Sequence, residues 1–455
     1  MASLTGLVPK IVTVDFRKLE EIYVNFLNYN CTIRHTKEII PKGNMVVLIV
    51  ASSIGSIGNL ALSYLPLYFT SLGGTVLQYG MIVTLSTLIG IPTTIAGGII
   101  SGPNNLKKII IMTSWLGPSI LLGYYFSNSW IVLSIPILIG AAGSIGSTAS
   151  RQLVADATNH KNRTAQLSLY QTLTTLPSII APLAGGYLVH AMGTVEGFRM
   201  GVLISLALSP ISIILLVKFL REKNAKSFNT KTQSPLLPDA KQKEPIVSML
   251  HHSKDFWANL TTLPRRLLPL LAAFVLVIVA NSTINPYLIF YGISIAKLDS
   301  FQWGIILSSQ ILFANIVRTP LGMISDKFDK KKVLLLSIVF TAPIPIFLIF
   351  MTSFWAILGI LLVMIAAGVN YGPTHEALQI EITPREKRPA LFATYDVLRN
   401  ISVSTGTIIG AFLFTISYAL PFYGFTILEA CATAIIASSF FFRPRKPRSV
   451  TVQPE

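Results

Sequence analysis

The sequence predicts an all-α polytopic membrane protein with twelve transmembrane helices, arranged as two pseudo-symmetric six-helix bundles. Hydrophobic residues make up 52% of the 455 residues and charged residues only 12%, whereas roughly a quarter of the residues in a soluble domain are charged. No residue in 43–106 or in 109–150 carries a formal charge. A spanning helix needs about 20 apolar residues, so each of these stretches is long enough for two spans and a turn.

An internal repeat predicts the two bundles. A block with an acid, an arginine, an alanine and a tyrosine occurs twice, 225 positions apart; the pairs are Asp156 and Glu381, Arg163 and Arg388, Ala165 and Ala390, and Tyr170 and Tyr395. A second set recurs at an interval of 224: Gln78, Gly80, Gly98, Lys107 and Lys108 correspond to Gln302, Gly304, Gly322, Lys331 and Lys332. Repeats of this length indicate duplication of a whole bundle.

Glycines, prolines and charged clusters divide the apolar sequence into spans. In the first half we predict spans 1 to 6 at residues 45–69, 80–100, 109–127, 130–150, 166–189 and 199–219. In the second half we predict spans 7 to 12 at residues 268–292, 303–323, 333–352, 354–374, 398–417 and 420–442. The domain organisation is then an N-terminal tail (1–44), a first half (45–219), a linker (220–266), a second half (267–442) and a C-terminal tail (443–455).

The basic residues predict the orientation in the membrane. Of 36 lysines and arginines, only Arg199 and Lys297 fall in loops on the other side of the membrane from the tails and the linker. Basic residues concentrate in cytoplasmic loops, so we expect both termini and the linker to be cytoplasmic and the chain to lie in the cell membrane. The net charge of +17 is spread over short loops and predicts contact with the lipid bilayer, not with nucleic acid.

Polar side chains within the predicted spans indicate a solute cavity, because such groups are costly against lipid. The asparagines and glutamines fall in spans 1, 5, 7, 8, 10 and 11, and spans 3, 6, 9 and 12 have none. Each amide alone is equally explained by a hydrogen bond between helices. As a set with nearby tyrosines, we predict that they line a cavity formed by Asn59, Tyr64, Gln171, Asn281, Asn285, Tyr287, Gln310, Asn315, Asn370, Tyr371 and Asn400.

Formal charge is nearly absent from the predicted cavity. Glu429 in span 12 is the carboxylate nearest mid-membrane, and Asp396 lies near the cytoplasmic end of span 11. We name both as candidate proton sites; the structural alternative for Glu429 is a neutral acid that is hydrogen-bonded between helices. A cavity without a central charge suits a neutral or weakly charged organic solute.

Two loops carry a family resemblance. Residues 322–332 read GMISDKFDKKK, which resembles the Gly-x-x-x-Asp-Arg/Lys-x-Gly-Arg/Lys-Arg/Lys loop of the major facilitator superfamily, at the position between spans 8 and 9 where that family carries it. The first-half counterpart, 98–108, reads GIISGPNNLKK and has Gly102 in place of the aspartate. With the repeated acid and arginine blocks, the resemblance covers most of the chain.

The resemblance implies a mechanism in which two halves rock around a central site, with spans 3, 6, 9 and 12 as outer supports. It also implies a cytoplasmic gate, formed by the loops that resemble the family and by the repeated acid and arginine blocks. The gate residues are Gly98, Asp156, Arg163, Gly322, Asp326, Lys327, Lys331, Glu381 and Arg388. Because Gly102 removes one aspartate, we expect closure of this gate to depend on Asp326 alone.

We expect a monomeric secondary active transporter, with export of drugs or metabolites favoured over uptake. The preference for export rests on the uncharged cavity and on residues 181–186, APLAGG, which resemble the end of an antiporter signature; close helix packing also explains these small residues. The alternatives are an uptake permease for a neutral polar nutrient such as a sugar and a non-transporting membrane sensor. A coupling proton is a further expectation.

Several chemistries are not expected. The glycine-rich residues 140–146 lack the lysine of a phosphate-binding loop, so we predict neither ATP hydrolysis nor another enzymatic activity. His251 and His252 are adjacent without other ligands nearby, which is not metal-ligand spacing. We therefore predict no cofactor and no metal site.

Overall fold

The computed structural model describes residues 43–100, 105–157, 163–220, 267–325, 328–382 and 388–440. Within these residues the regular secondary structure is helical. Eleven helices are long and apolar enough to cross a membrane, and a bent pair, Asn44–Ile57 with Leu62–Ser71, makes a twelfth. The predicted all-α fold with twelve spans is confirmed.

The helices follow the predicted order. In the first half, span 1 is Asn44–Ile57, a 3₁₀ turn at Leu62–Tyr64 and Leu65–Ser71; span 2 is Val76–Ile100; span 3 is Leu106–Ser114 with Leu116–Phe126; span 4 is Trp130–Gly140, Ala141–Gly143 and Ser144–Ala157; span 5 is Arg163–Thr175, Leu176–Ile179 and Ile180–Met192; and span 6 is Thr194–Phe219.

The second half repeats this plan. Span 7 is Leu268–Ile284, a 3₁₀ turn at Asn285–Tyr287, Leu288–Phe290 and a π turn at Tyr291–Ile295; span 8 is Ser300–Ser325; span 9 is Lys330–Thr341 with Ile344–Leu348; span 10 is Phe354–Gly368 with Tyr371–Ile382; span 11 is Arg388–Ile416; and span 12 is Leu420–Phe440.

Spans 1 and 7 are interrupted at equivalent places. We predicted span 1 as one run, but it bends by 43° between its two helices. A 3₁₀ turn lies at each interruption, and each turn ends on a tyrosine, Tyr64 in span 1 and Tyr287 in span 7. Pro66 and Pro286 lie at these sites and supply no backbone N–H for the helical ladder. Each tyrosine therefore lies at the point where its span departs from regular α-helix.

The repeated glutamines have a structural reason. At the start of span 2, the backbone N–H of Thr75 donates to Gln78 Oε1 (2.8 Å), and the N–H of Gln78 donates to Thr75 Oγ1 (3.2 Å). At the start of span 8, the backbone N–H of Asp299 donates to Gln302 Oε1 (3.1 Å), and the N–H of Gln302 donates to Asp299 Oδ1 (2.8 Å). Both are capping boxes, which satisfy free N–H groups at a helix start.

The two halves use one packing pattern. In the first half, span 1 packs against spans 5 and 6, span 2 against span 4, and span 3 against spans 4 and 6. In the second half, span 7 packs against spans 11 and 12, span 8 against span 10, and span 9 against spans 10 and 12. Between the halves, span 2 packs against span 11 and span 5 against span 8. These two contacts are related by the same pseudo-symmetry.

Buried apolar residues show on which side the halves join. We call the side where span 6 ends and span 7 begins, next to residues 221–266, the linker side. The opposite side, which carries the short connections 72–75 and 296–299, is the turn side. The largest apolar cluster lies toward the turn side and combines both halves, with Tyr64 and Phe69 beside Tyr287 and Phe290. Toward the linker side, each half has a separate cluster, around Leu48 and Leu153 in one half and around Leu270 and Leu334 in the other. The structure is therefore closed on the turn side.

Candidate solute-binding site

A cavity of about 370 Å³ lies inside the second half, between spans 7, 8, 9, 10 and 12. We call it the second-half cavity. Its apolar wall includes Leu361, Met364 and Phe425. Polar residues predicted from the sequence also line it; they are Asn281, Asn285, Gln310, Tyr371 and Glu429. Its volume falls in the roughly 300–1,000 Å³ range of small-molecule sites, and a mostly apolar lining with few polar groups is typical of such sites.

Glu429 is the buried carboxylate of this cavity. Its side chain is on span 12 and only 2% of the residue is exposed. The hydroxyl of Thr341 on span 9 donates to Glu429 Oε2 at 2.6 Å. The resemblance implied that spans 9 and 12 are outer supports, but in this half they contribute Ser337, Thr341 and Glu429 to the cavity wall. The amide count missed this wall because it considered only asparagine and glutamine.

The asparagines on spans 7 and 8 bond within their own helices. Asn281 Nδ2 donates to the Val277 carbonyl at 2.9 Å, and Asn315 Nδ2 donates to the Ile311 carbonyl at 2.8 Å. Asn315 Oδ1 also accepts from Thr175 Oγ1 of span 5 at 3.3 Å, which links the two halves. The oxygen of Asn281 is left to face the cavity as an acceptor.

A buried aromatic group lies beside the cavity on the linker side. The ring of Tyr371 stacks on His375 with the centroids 5.5 Å apart, and His375 stacks on Phe274 at 5.0 Å. His375 is 2% exposed; its Nδ1 lies 2.7 Å from Gln379 Nε2, and its Nε2 lies 3.3 Å from the Leu270 carbonyl. With the amide donating to Nδ1, the Nε2–H donates to the carbonyl, so this ring is a neutral, satisfied member of the core.

The sequence prediction missed His375 and Gln379 because predicted span 10 ended at residue 374, whereas the helix continues to Ile382. Residues 375–382 include Glu376 and Glu381, so this part of the helix is too polar to be recognised as a membrane span from the sequence. The helical spacing of His375 and Gln379, four residues apart, is the signal that would have placed both on one face.

Tyr64 and Tyr287, which we predicted to line the solute cavity, lie in the contact between the halves on the turn side. We call this contact, between spans 5 and 8 and between spans 2 and 11, the turn-side seam. Tyr64 is 0% and Tyr287 1% exposed. The Tyr64 hydroxyl lies 2.9 Å from the Ser300 carbonyl of the second half and 3.0 Å from the Pro182 carbonyl. The Tyr287 hydroxyl donates to the Thr407 carbonyl at 2.6 Å.

Glycines leave the space that each tyrosine side chain occupies in the seam. A Cβ added at Gly304 would lie 2.9 Å from the Tyr64 hydroxyl and 2.6 Å from the Pro182 carbonyl, and one at Gly186 would collide with the same hydroxyl. In the other half of the seam, a Cβ at Gly80 would lie 2.6 Å from the Tyr287 hydroxyl, and one at Gly410 would lie 2.7 Å from its ring. Gly80 and Gly304 are 224 positions apart, as are Gly186 and Gly410.

The stretch at residues 181–186 belongs to this seam. A Cβ at Gly185 would collide with the Leu60 carbonyl of span 1, and Pro182 supplies the carbonyl beside the Tyr64 hydroxyl. Small residues here allow spans 1, 5 and 8 to approach closely, as expected for helix packing in membranes. This packing accounts for the residues without an antiporter role.

The remaining predicted cavity residues are spread over both halves. Asn59 is exposed at the interruption of span 1, and Gln171 is exposed on span 5. Asn370 is 9% exposed at the break in span 10, and Asn400 is half-buried on span 11. These four residues do not line the second-half cavity.

Asp396, the second candidate proton site, is exposed on span 11 near the linker side. It interacts electrostatically with Arg399 on the same helix and with Arg151 on span 4 of the other half. Neither interaction is an ion pair; within the described part of the chain, the ion pairs are His190 with Asp299, Arg199 with Glu196, and Lys330 with Glu381. Asp396 does not line the second-half cavity.

The predicted gate falls largely on positions that the structure does not describe. Asp326 and Lys327 lie outside the described residues, and the structure describes neither the surroundings of Gly98 nor the side chains of Asp156, Arg163 and Arg388. Gly322 lies in span 8 with open space around its Cα. Glu381 pairs with Lys330 within the second half, and the N–H of Lys331 donates to Asp329 at the start of span 9.

Comparison with known proteins gives a consistent family. The model of the Major Facilitator Superfamily matches residues 46–374 and 297–455. The chain is similar to the multi-drug resistance efflux pump PmrA homolog of Lactococcus lactis subsp. lactis (strain IL1403), with 24% identity over 79% of this chain and 84% of the relative. It is also similar to the multidrug resistance protein MdtG of Salmonella typhi, with 25% identity over 78% of this chain and 85% of the relative.

Solved structures share the fold at low sequence identity. A mutant of the nucleoside transporter NupG superposes with a TM-score of 0.65 and 14% identity, over 88% of this chain and all of the other. A bacterial metal transporter superposes with a TM-score of 0.61 and 12% identity, over 88% of this chain and 99% of the other. These similarities concern the arrangement of the helices alone.

Proposed function

Because this chain belongs to the major facilitator superfamily, we propose that it exports small, neutral or weakly charged organic solutes across the cell membrane by alternating access. The chain is a multi-pass membrane transporter of that family. The proposal adds the direction of transport and the class of solute.

The second-half cavity is the observation that carries the solute class. Its apolar wall is interrupted by a few amides and hydroxyls, by one carboxylate and by Arg318, so it combines a large hydrophobic contact with a small number of orienting polar groups. Such a lining suits a lipophilic organic molecule better than a sugar, whose many hydroxyl groups each need a partner after losing water. Similarity to proteins named for multidrug resistance supports the same class and supports export.

The two seam contacts support a rocking motion. Spans 2 and 11 and spans 5 and 8 touch through glycines and two buried tyrosines, whereas toward the linker side the apolar clusters of the halves are separate. A rigid half that pivots would break the turn-side seam and bring the linker-side ends together. We propose that the linker side is cytoplasmic, so that this structure is the inward-facing state that accepts solute from inside the cell.

A flux assay in proteoliposomes tests the proposal. Purified protein is reconstituted and given a panel of radiolabelled lipophilic drugs, a sugar and a nucleoside, with and without a pH gradient. We expect lipophilic compounds to move and the pH gradient to accelerate them if a proton is coupled. Movement of the sugar alone would indicate an uptake permease instead, and no flux of any solute, despite correct insertion, would indicate a sensor.

A further inference from the structure

We propose that the second-half cavity binds a protonated amine on an apolar body, with Glu429 as the group that receives the ammonium. This inference rests on the proposed function for its biological role, but the binding site is argued here from its own groups. It narrows the proposed neutral or weakly charged solutes to apolar molecules that carry a single positive charge.

Glu429 is buried and has few polar partners. Only the Thr341 hydroxyl is bonded to it, and within the described residues no lysine, arginine or histidine forms an ion pair with it. A buried ionised carboxylate without a cation is costly. A cationic ligand removes this cost, since it provides the missing opposite charge inside the cavity.

The neighbouring polar groups add acceptors. Asn281 lines the cavity and bonds through Nδ2 to the Val277 carbonyl, so its amide oxygen is the acceptor that it offers to a ligand. The hydroxyl of Tyr371 is buried and has no hydrogen-bond partner among the described residues, although it lies in electrostatic range of Glu429. A primary ammonium carries three donors and no acceptor. A carboxylate, an amide oxygen and a phenol oxygen match that pattern.

Arg318 is the cation that lines the same cavity, so its position matters. It is exposed and lies eight residues beyond Gln310 on span 8, about 12 Å further toward the linker side at 1.5 Å per residue. We place it at the hydrated mouth, where water screens its charge. The deep part of the cavity, beside Glu429, keeps its acidic character.

The apolar wall defines the rest of the ligand. Leu361, Met364 and Phe425 offer aliphatic, thioether and aromatic surface, and methionine adapts to ligands of different shape. A molecule with an aromatic ring at one end and an amine at the other would place its ring on this wall and its ammonium at Glu429.

The experiment compares two probes of the same shape. Full-length protein in nanodiscs is titrated with 4-phenylbutylamine and with 4-phenylbutan-1-ol, in which a hydroxyl replaces the ammonium. Binding is measured by equilibrium dialysis and by the ligand-induced rise in unfolding temperature. We expect the amine to bind at least about tenfold more tightly than the alcohol, because a hydrogen bond between charged groups is stronger than one to a neutral hydroxyl.

Two substitutions locate the effect. Glu429→Gln should reduce amine affinity about tenfold or more and leave alcohol affinity unchanged, which also shows that the variant is folded. Tyr371→Phe should weaken amine binding several-fold without lowering stability, because its hydroxyl has no partner to lose. Glu196→Gln, on the turn side and far from this cavity, is the matched control and should change neither affinity.

Equal affinity of the wild-type protein for the two probes would overturn the site, as would an amine preference that survives in Glu429→Gln. Failure of transport is distinguished by the flux assay: selective amine binding without flux leaves this site standing and rejects the export function. Flux of lipophilic solutes with no amine preference rejects this site and retains the export function.

Discussion

Tyr64 and Tyr287 occupy equivalent positions in the two halves, and each reaches through the turn-side seam to a glycine of the opposite half. Tyr64 of span 1 meets Gly304 of span 8, and Tyr287 of span 7 meets Gly80 of span 2. Each hydroxyl also bonds to a backbone carbonyl. This reciprocal contact joins the halves twice, once on each side of the pseudo-symmetry axis.

The first prediction concerns the close approach at Gly80. In Gly80→Ala the new methyl would collide with Ala411 and press on the Tyr287 hydroxyl, and overpacking of this kind costs about 1–3 kcal/mol. We expect the turn side to open, shifting a balanced equilibrium roughly five- to hundredfold. Labelling of a cysteine placed at Ser308 by a reagent added on the turn side should increase.

Gly90→Ala is the matched control for this variant. It lies on the same span, and an added Cβ there meets nothing within 4 Å. Equal labelling of the Gly80 and Gly90 variants would show that the close approach does not hold the seam.

The second prediction concerns the tyrosine hydroxyls. Tyr64→Phe removes a hydrogen bond to the Ser300 carbonyl of the second half, and a net bond contributes about 1 kcal/mol. We expect this variant to weaken turn-side closure about fivefold. Tyr287→Phe is the control, since the Tyr287 hydroxyl donates to the Thr407 carbonyl within the second half. The distance between spin labels on spans 2 and 11 at the turn side measures the population. The same distance distribution in both variants would remove the Tyr64 hydroxyl from the closing mechanism.

The third prediction separates cavity amides from amides that only join helices. Asn285→Ala, at the interruption of span 7, should change flux or solute preference more than it changes folded yield, because this exposed residue lines the second-half cavity. Ser114→Ala is the control, since the Ser114 hydroxyl only donates to the Ile110 carbonyl of its own helix. Equal loss of flux in both variants would contradict a cavity role for Asn285.

The fourth prediction concerns Asp326, on which we expect closure of the predicted cytoplasmic gate to depend. We expect Asp326→Asn to leave expression intact, to favour the state that is closed on the turn side and to slow turnover. The reason is the loss of a contact between the aspartate and the positive N-terminus of span 5 near Arg163, worth about 0.3–2 kcal/mol. Labelling of a cysteine substituted for Gln171, with reagent added on the linker side, should rise. Labelling and flux that both stay at wild-type levels would exclude Asp326 from the gate.

The fifth prediction concerns orientation. Basic residues favour a cytoplasmic linker, so protease added to intact cells should spare residues 220–266 and protease added to inverted vesicles should cleave them. Cleavage in intact cells would reverse the assignment of the inward-facing state, because the linker side would then face outward.

The sequence alone was sufficient for the twelve spans and the two halves. Length and hydropathy of a span are properties of one stretch of chain, and a membrane admits only a helix over such a stretch. The repeat interval of 224 to 225 positions also survives in the structure, as the capping boxes at Gln78 and Gln302 and the glycines Gly80 and Gly304. These features need no knowledge of which helix lies beside which.

Tertiary structure decided how the polar residues are shared between a cavity and a seam. We predicted Tyr64 and Tyr287 to line the solute cavity, but both are buried in the contact between the halves, against Gly304 and Gly80 of the opposite half. Conversely, Glu429 and Thr341 lie on spans expected to be outer supports, yet the packing of spans 9 and 12 against spans 7 and 10 brings them to the cavity. Polarity restricts a side chain to the interior of the bundle, but only the packed helices determine whether that interior position holds space for a ligand or another helix.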